Sequence, residues 1–385
     1  MKKTTLESAL NTVRTPFYWY DMSLLAATVK ACNEAARPYG FHVHYALKAN
    51  FNDPILDLIS ASGMGADCVS GNEVRKAAER GFPPSNIVFA GVGKSDWEME
   101  AALDLNIFSF NCESLEELQV LNELAAARNK VARVAIRLNP NVNANTHHYI
   151  TTGLNENKFG VNTADLDQVI TLLRESKNLN FIGLHFHIGS QITDMEVFKN
   201  LCVRVNELGA WFEARNFPIQ VLNVGGGLGI DYHQPASNPM PDFAAYFAIF
   251  HRYLELRPGQ QVHFELGRSL VAQSGNLVSK VLYIKKGIST NFAVIDAGMT
   301  ELIRPALYQA WHEIENLSAD LSVRGPGVYD IVGPICESSD LFRKAVELPE
   351  TLRGDMLVIR SAGAYGQVMS SGYNLREPAE TVYGF

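Results

Sequence analysis

The chain of 385 residues carries 33 basic and 41 acidic side chains, and the net charge of -8 gives no support to binding nucleic acid or an anionic membrane. At 47% hydrophobic and 19% charged it can bury a large core, and its length suits two domains. No apolar run approaches the roughly 20 residues that cross a bilayer, and MKKTTLESALNTVRTP has two lysines but no apolar segment behind them, so no signal peptide is expected.

The five cysteines, Cys32, Cys68, Cys112, Cys202 and Cys336, are odd in number and far apart. They do not form a disulfide framework and fit a reducing cytoplasm. No CxxC or HxxxH spacing points to a metal.

Taken in chain order, the first ~20 residues, with TPFYWYD, are expected to join a terminal domain rather than the one that follows. From Phe41 to Arg268, short β-branched runs alternate with amphipathic helical stretches. The runs are HVHYALK, GADCV, NIVFAG, NIFSFN, RVAIRLN, FIGLHFHIG, IQVLNVGG and QVHFELG. Among the helices between them, SLEELQVLNELAAA is clearest: Ser114 and Glu117 form a capping box, and Leu115, Leu118, Leu121 and Leu124 fall at helical spacing. Such alternation implies parallel strands with crossover helices. Eight units in this span match a closed (β/α)8 TIM-like barrel, expected over residues 24–271. One segment breaks the pattern. Asn139 to Lys158 is polar, Asn-rich and aperiodic, and reads either as a lid or as a surface loop. After Leu270 the chain turns to strands and turns, which predicts a β-rich domain of residues 272–385 that also takes in residues 1–23.

Alternation along each strand picks out the inward residues. His42, His44, Ala46 and Lys48 share one face of the first strand, and Lys48 closes it. A desolvated lysine at a strand end loses its proton more easily, and its amine can attack an aldehyde. His185 and His187 face in opposite Ile182, Leu184, Phe186 and Ile188; His263 and Glu265 face in opposite Val262, Phe264 and Leu266; Arg137 faces in from RVAIRLN. Lys, Arg, His and Glu thus converge on one rim, where a core built for stability would hold Val, Ile and Leu. The seventh run leads into Gly225, Gly226 and Gly227, and the eighth into Gly267 and Arg268, the place where such barrels hold phosphate. Ser190 adds a hydroxyl donor. A lysine, a phosphate cradle and an inward carboxylate together describe pyridoxal 5'-phosphate, with Glu265 keeping its ring nitrogen protonated.

On YALKAN, GADCVSGNE, NKFGV, GLHFHIGSQ, NVGGGLG, FELGRS, DAGMTELIRPALY, GPICESSD and GAYGQVMSSGYN, the chain resembles the fold-type III pyridoxal-phosphate decarboxylases. RPALY and ICES point to the branch that acts on diaminopimelate. The resemblance implies that Lys48 forms the imine, that His187 stacks on the ring, and that Glu265 pairs with its nitrogen. It implies that Ser190, Gly226, Gly227, Gly267, Arg268 and Tyr365 hold the phosphate or its surroundings, with Asp67 and Arg137 in support. Arg268, Arg304, Tyr308, Glu337 and Tyr365 would bind substrate, and Cys336 would return a proton to the carbon that loses carbon dioxide. The implied reaction converts meso-diaminopimelate to L-lysine, in a cytoplasmic homodimer whose ICES segment enters the neighbouring subunit's site. The alternatives are a sister decarboxylase acting on carboxynorspermidine or a basic amino acid, and a non-catalytic regulatory homologue, which would be expected to have lost Lys48 or Cys336. Two positions depart from the family pattern: Leu266 replaces a usual proline, and GYN at Gly372 to Asn374 leaves Tyr373 without an assigned role.

Overall fold

The computed structural model describes residues 5–142 and 158–385. Most of the Asn-rich segment that reads as a lid or loop therefore lies outside the described residues. The chain divides into two compact units, one of Val29–Gly229 with Asp242–Gly267, the other of Met1–Thr28, Ile230–Pro241 and Arg268–Phe385. Sequence reading gave all of 24–271 to the barrel, but residues 24–28, 230–241 and 268–271 belong to the second unit. The 230–241 segment is tied there by Tyr232, which packs on Arg268, Arg304 and His312 of that unit.

After strand β1 (Phe17–Asp21) come the barrel strands: β2 (His42–Ala46), β3 (Gly65–Cys68), β4 (Ile87–Phe89), β5 (Ser109–Cys112), β6 (Ala132–Arg137), β7 (Leu179–His185), β8 (Val221–Asn223) and β9 (Gln261–Leu266). They pair in parallel in chain order, and β2 closes on β9 with His44 beside Glu265 and Tyr45 beside Leu266. The closed order leaves no unpaired edge. The outer face is apolar and covered by helices. Phe264 is fully buried, with the rings of Phe247 and Phe250 each 4.9 Å away edge-on. Truncating such a ring to alanine costs about 3–5 kcal/mol. The helix Leu115–Ala127 begins where expected, and Ser114 accepts the Glu117 N–H at 3.1 Å. The other half of the expected capping box does not form. The Glu117 carboxylate takes the Glu113 N–H and the buried Lys94 ammonium instead.

The second unit is β-rich. Its strands are β10 (Gly275–Lys286), β11 (Asn291–Ile295), β12 (Ile314–Asn316), β13 (Pro326–Val332), β14 (Leu341–Pro349), β15 (Met356–Ile359) and β16 (Glu380–Gly384). They run in the order β12-β15-β10-β11-β13-β14, and β1 lies between β10, antiparallel, and β16, parallel. Among the described residues no helix is long and apolar enough to cross a membrane.

Candidate active site

The barrel interior is polar where the strands carry their inward residues. Glu265 on β9 is buried and accepts three hydrogen bonds. Its Oε1 takes the amides of Asn111 at 3.0 Å and Asn223 at 2.7 Å, and its Oε2 takes His185 Nε2–H at 2.9 Å. Burial alone would raise its pKa, but His185, reinforced by Lys48 and His187, holds it well below the usual carboxylate range. A carboxylate has about four lone-pair sites, so one site on Oε2 is left for a further donor.

Lys48 stands just past β2, in a single 3-10 turn, Leu47–Ala49, rather than on the strand itself. Its ammonium meets Asp67 Oδ2 at 2.8 Å. The dry lysine that the sequence suggests is not what is found: the Lys48 side chain keeps 35% exposure, and the fully buried partner is Asp67. Asp67 Oδ1 is buried with no hydrogen-bond partner. Burial pushes the Asp67 pKa up and the Glu265 charge adds to this, against the pull of Lys48. Close by, Glu73 accepts the Val69 N–H at 2.7 Å, and burial pushes it up to about 7.

His187 lies two residues beyond the end of β7. Its Nδ1 accepts the Gly226 N–H at 3.3 Å, so the proton sits on Nε2. Burial, then Arg137 and Lys48, push its pKa down to about 3, which keeps the ring neutral. The glycine run is shaped by crowding as much as by any anion. A Cβ on Gly226 would lie 1.9 Å from the Glu265 carbonyl oxygen, and Gly225, at φ +69°, sits in the left-handed region. The Gly225 N–H is taken by Asn223 Oδ1 at 2.9 Å. Gly227 ties the run to the segment after Ser190 through its carbonyl and the Ile192 N–H, 2.8 Å apart. Gly267, closing β9, would press a Cβ against Ala46 and Ala49. Arg137 ends β6 on Glu113 Oε1 at 2.8 Å, an oxygen that also takes the Gly91 N–H, while Glu113 Oε2 takes the Gly160 N–H at 3.1 Å.

In the second unit two further groups form. Arg268 NH1 donates to the Tyr232 hydroxyl at 2.7 Å and lies over the Tyr365 ring at 4.9 Å. Arg304, at the start of the helix Arg304–Tyr308, lies over the Tyr232 ring at 4.7 Å and donates to His312 Nε2 at 2.8 Å. Tyr308 ends that helix, half-buried. Separately, Cys336 and Glu337 are exposed on the loop between β13 and β14. Asn374 Oδ1 accepts the Cys336 N–H at 3.1 Å, and the Tyr373 hydroxyl donates to Glu337 Oε1 at 2.8 Å. Tyr373, given no role from sequence, thus orients an expected substrate-binding carboxylate.

These side chains suit pyridoxal phosphate on structural grounds. The barrel offers an amine at Lys48, an unpartnered buried oxygen on Asp67, a spare acceptor site on an ionised Glu265, and a tight glycine corner. Sequence reading missed Asn111, Asn223, Tyr232 and His312. Asn111 could have been found by alternation within NIFSFN, and Asn223 within IQVLNVGG. Tyr232 and His312 carry no motif.

Comparison with known proteins agrees with this chemistry. Residues 25–272 match the family described as pyridoxal-dependent decarboxylase, pyridoxal binding domain. A diaminopimelate decarboxylase of Bacteroides thetaiotaomicron is 57% identical over 95% of this chain and 94% of its own. One from Helicobacter pylori is 41% identical over 96% of this chain and 90% of its own. The crystal structure of diaminopimelate decarboxylase from Helicobacter pylori complexed with L-lysine superposes with a TM-score of 0.92 at 38% identity, covering 98% of this chain and 94% of that one.

Proposed function

The chain belongs to the pyridoxal-dependent decarboxylases, and we propose that it removes one carboxylate from meso-diaminopimelate to give L-lysine and carbon dioxide. The observation that carries this reading is Glu265, an ionised carboxylate with three donors and one site to spare, in the same barrel as Lys48.

Pyridoxal phosphate, when bound, supplies the electron sink that lets a carbon–carboxylate bond break. Lys48 is the residue that would bond it, and Asp67 holds the amine in place. Glu265 keeps a proton on the ring nitrogen, and the three donors behind it fix the carboxylate's orientation. His187, neutral and half-buried, would face the ring without adding charge. Ser190, Gly226, Gly227, Gly267, Arg268 and Tyr365 would hold the phosphate or its surroundings, and Arg137 braces the rim through Glu113.

The substrate must be recognised at its unreacted end, which carries a carboxylate and an ammonium. Arg304 and Arg268 take the carboxylate, a match for the planar guanidinium, with Tyr308 and Tyr365 alongside. Glu337 would take the ammonium, and the Cys336 thiol would give a proton to the carbon left by carbon dioxide. The exposure of Cys336 and Glu337 supports a homodimer in which this loop serves the neighbouring subunit's site. The unpaired, mostly buried cysteines suit the cytoplasm.

The test is to load the protein with pyridoxal phosphate and score carbon dioxide release from meso-diaminopimelate, carboxynorspermidine, ornithine and lysine. Release from meso-diaminopimelate far above the rest supports the reading. Preference for any of the three amine-ended substrates replaces it with a sister activity, and silence on all four removes it.

A further inference from the structure

Arg304 is a buried cation with an unusual set of partners. Its residue exposure is 5%, and among the described residues no carboxylate pairs with it. A buried charge left in this way is costly unless something compensates. Two neutral side chains do part of this: NH1 donates to His312 Nε2, and the Tyr232 ring lies beneath the guanidinium. The Nε–H is buried and has no partner.

His312 can act only as an acceptor toward Arg304. Its Nδ1 lies 2.8 Å from the Arg360 carbonyl oxygen, which cannot donate, so Nδ1 carries the proton and Nε2 presents a lone pair. Burial and then Arg304 itself keep the ring from taking a second proton. Tyr232 touches every member of the group. Its hydroxyl accepts from Arg268, its ring lies under Arg304, and its edge meets His312 at 5.1 Å. NH1 is thus committed to His312 and Tyr232 also bonds the guanidinium, while the buried Nε–H is left for a further acceptor such as a carboxylate oxygen.

We propose that Tyr232 and His312 are positioning residues that aim the unpartnered Nε–H of Arg304 at a carboxylate, and so select a substrate whose far end carries one over a bare amine. This rests on the assignment of Arg304 to the far carboxylate. The pair touches no reacting atom. His312 fixes the fork's rotation, and Tyr232 fixes its tilt while holding Arg268 by the hydroxyl.

The test uses the holoenzyme and two ligands that differ by one group: L-lysine, which retains the far carboxylate, and cadaverine, which lacks it. Binding is read by calorimetry, and turnover of meso-diaminopimelate alongside. Replacing the acceptor, His312→Leu, is expected to weaken L-lysine about tenfold and raise KM to match, with kcat changed less than about threefold and cadaverine binding within about twofold. His312→Gln, which keeps an acceptor, recovers most of the loss. Tyr232→Phe, which removes one oxygen, weakens L-lysine selectively by a smaller factor, and it decides the matter should the leucine variant not fold. Parallel weakening of both ligands, or no change in either, overturns the proposal. Failure of the substrate reading shows instead in the wild type, as absent turnover of meso-diaminopimelate, and leaves the binding comparison intact.

Discussion

Glu265 and His185 face each other across the barrel interior from β9 and β7, with 2.9 Å between Oε2 and Nε2. With the two asparagine amides on Oε1, this bond fixes both the direction and the charge of the carboxylate. Glu265→Gln keeps the shape and removes the charge. Carbon dioxide release at saturating pyridoxal phosphate is expected to fall at least about a hundredfold, the scale of a lost preorganised electrostatic contact. Activity within a few-fold of wild type would disconnect Glu265 from the chemistry.

The opposite end of the barrel sets an acid limit on stability. His44 Nδ1 donates to the Asn86 carbonyl at 3.0 Å, so its Nε2 accepts from His263 Nδ1–H at 2.8 Å, and both nitrogens of the His44 ring are committed. Burial pushes His44 down to about 4 and His263 well below its usual value. The unfolded chain therefore takes up protons below about 6.5 that the folded one refuses, and stability falls as pH drops through that window. Urea unfolding at about pH 7.5 and about pH 5 should show a loss to which His44 contributes roughly 2 kcal/mol. His44→Gln should lessen that loss.

Asp67 is the buried half of its pair with Lys48. Lys48→Ala abolishes turnover and also leaves that carboxylate without its cation. Because the lysine is only half-buried, the expected cost is modest, about 1–2 kcal/mol in urea unfolding of the cofactor-free protein. Asp67→Asn in the Lys48→Ala background should restore most of it. An unchanged double variant would mean the pair is not what sets the stability there.

Shared sites make a prediction for mixtures. Lys48→Ala and Cys336→Ala proteins are each expected to be inactive. Unfolded and refolded together, they should recover about a quarter of wild-type activity, since half of the dimers are mixed and each has one intact site. No recovery would place Cys336 and Lys48 of one chain in the same site.

Much of the barrel could be read from alternation, because closed parallel strands must carry inward and outward residues in turn. That rule brought out His185, His187 and Glu265 directly. It reached past the strand at both His187 and Lys48, each two residues beyond its strand's end, and at Lys48 a 3-10 turn leaves the side chain partly wet. It could not supply Tyr232 or His312. Their importance comes from contacts between segments about 70–80 residues apart in the chain, which no local pattern encodes. Glu117 shows the same limit at short range. Its spacing from Ser114 promised a capping box, but a buried ammonium at Lys94 offered the carboxylate a stronger partner.

The seat of β1 between β10 and β16 has a bearing on how the protein is made. Residues 17–21 leave the ribosome ahead of both their neighbours, which follow about 260 and about 360 residues later. At common translation rates the aromatic FYWY segment waits tens of seconds for either one. Nascent chains halted before β10 should therefore display it to chaperones, while the barrel between is already free to form.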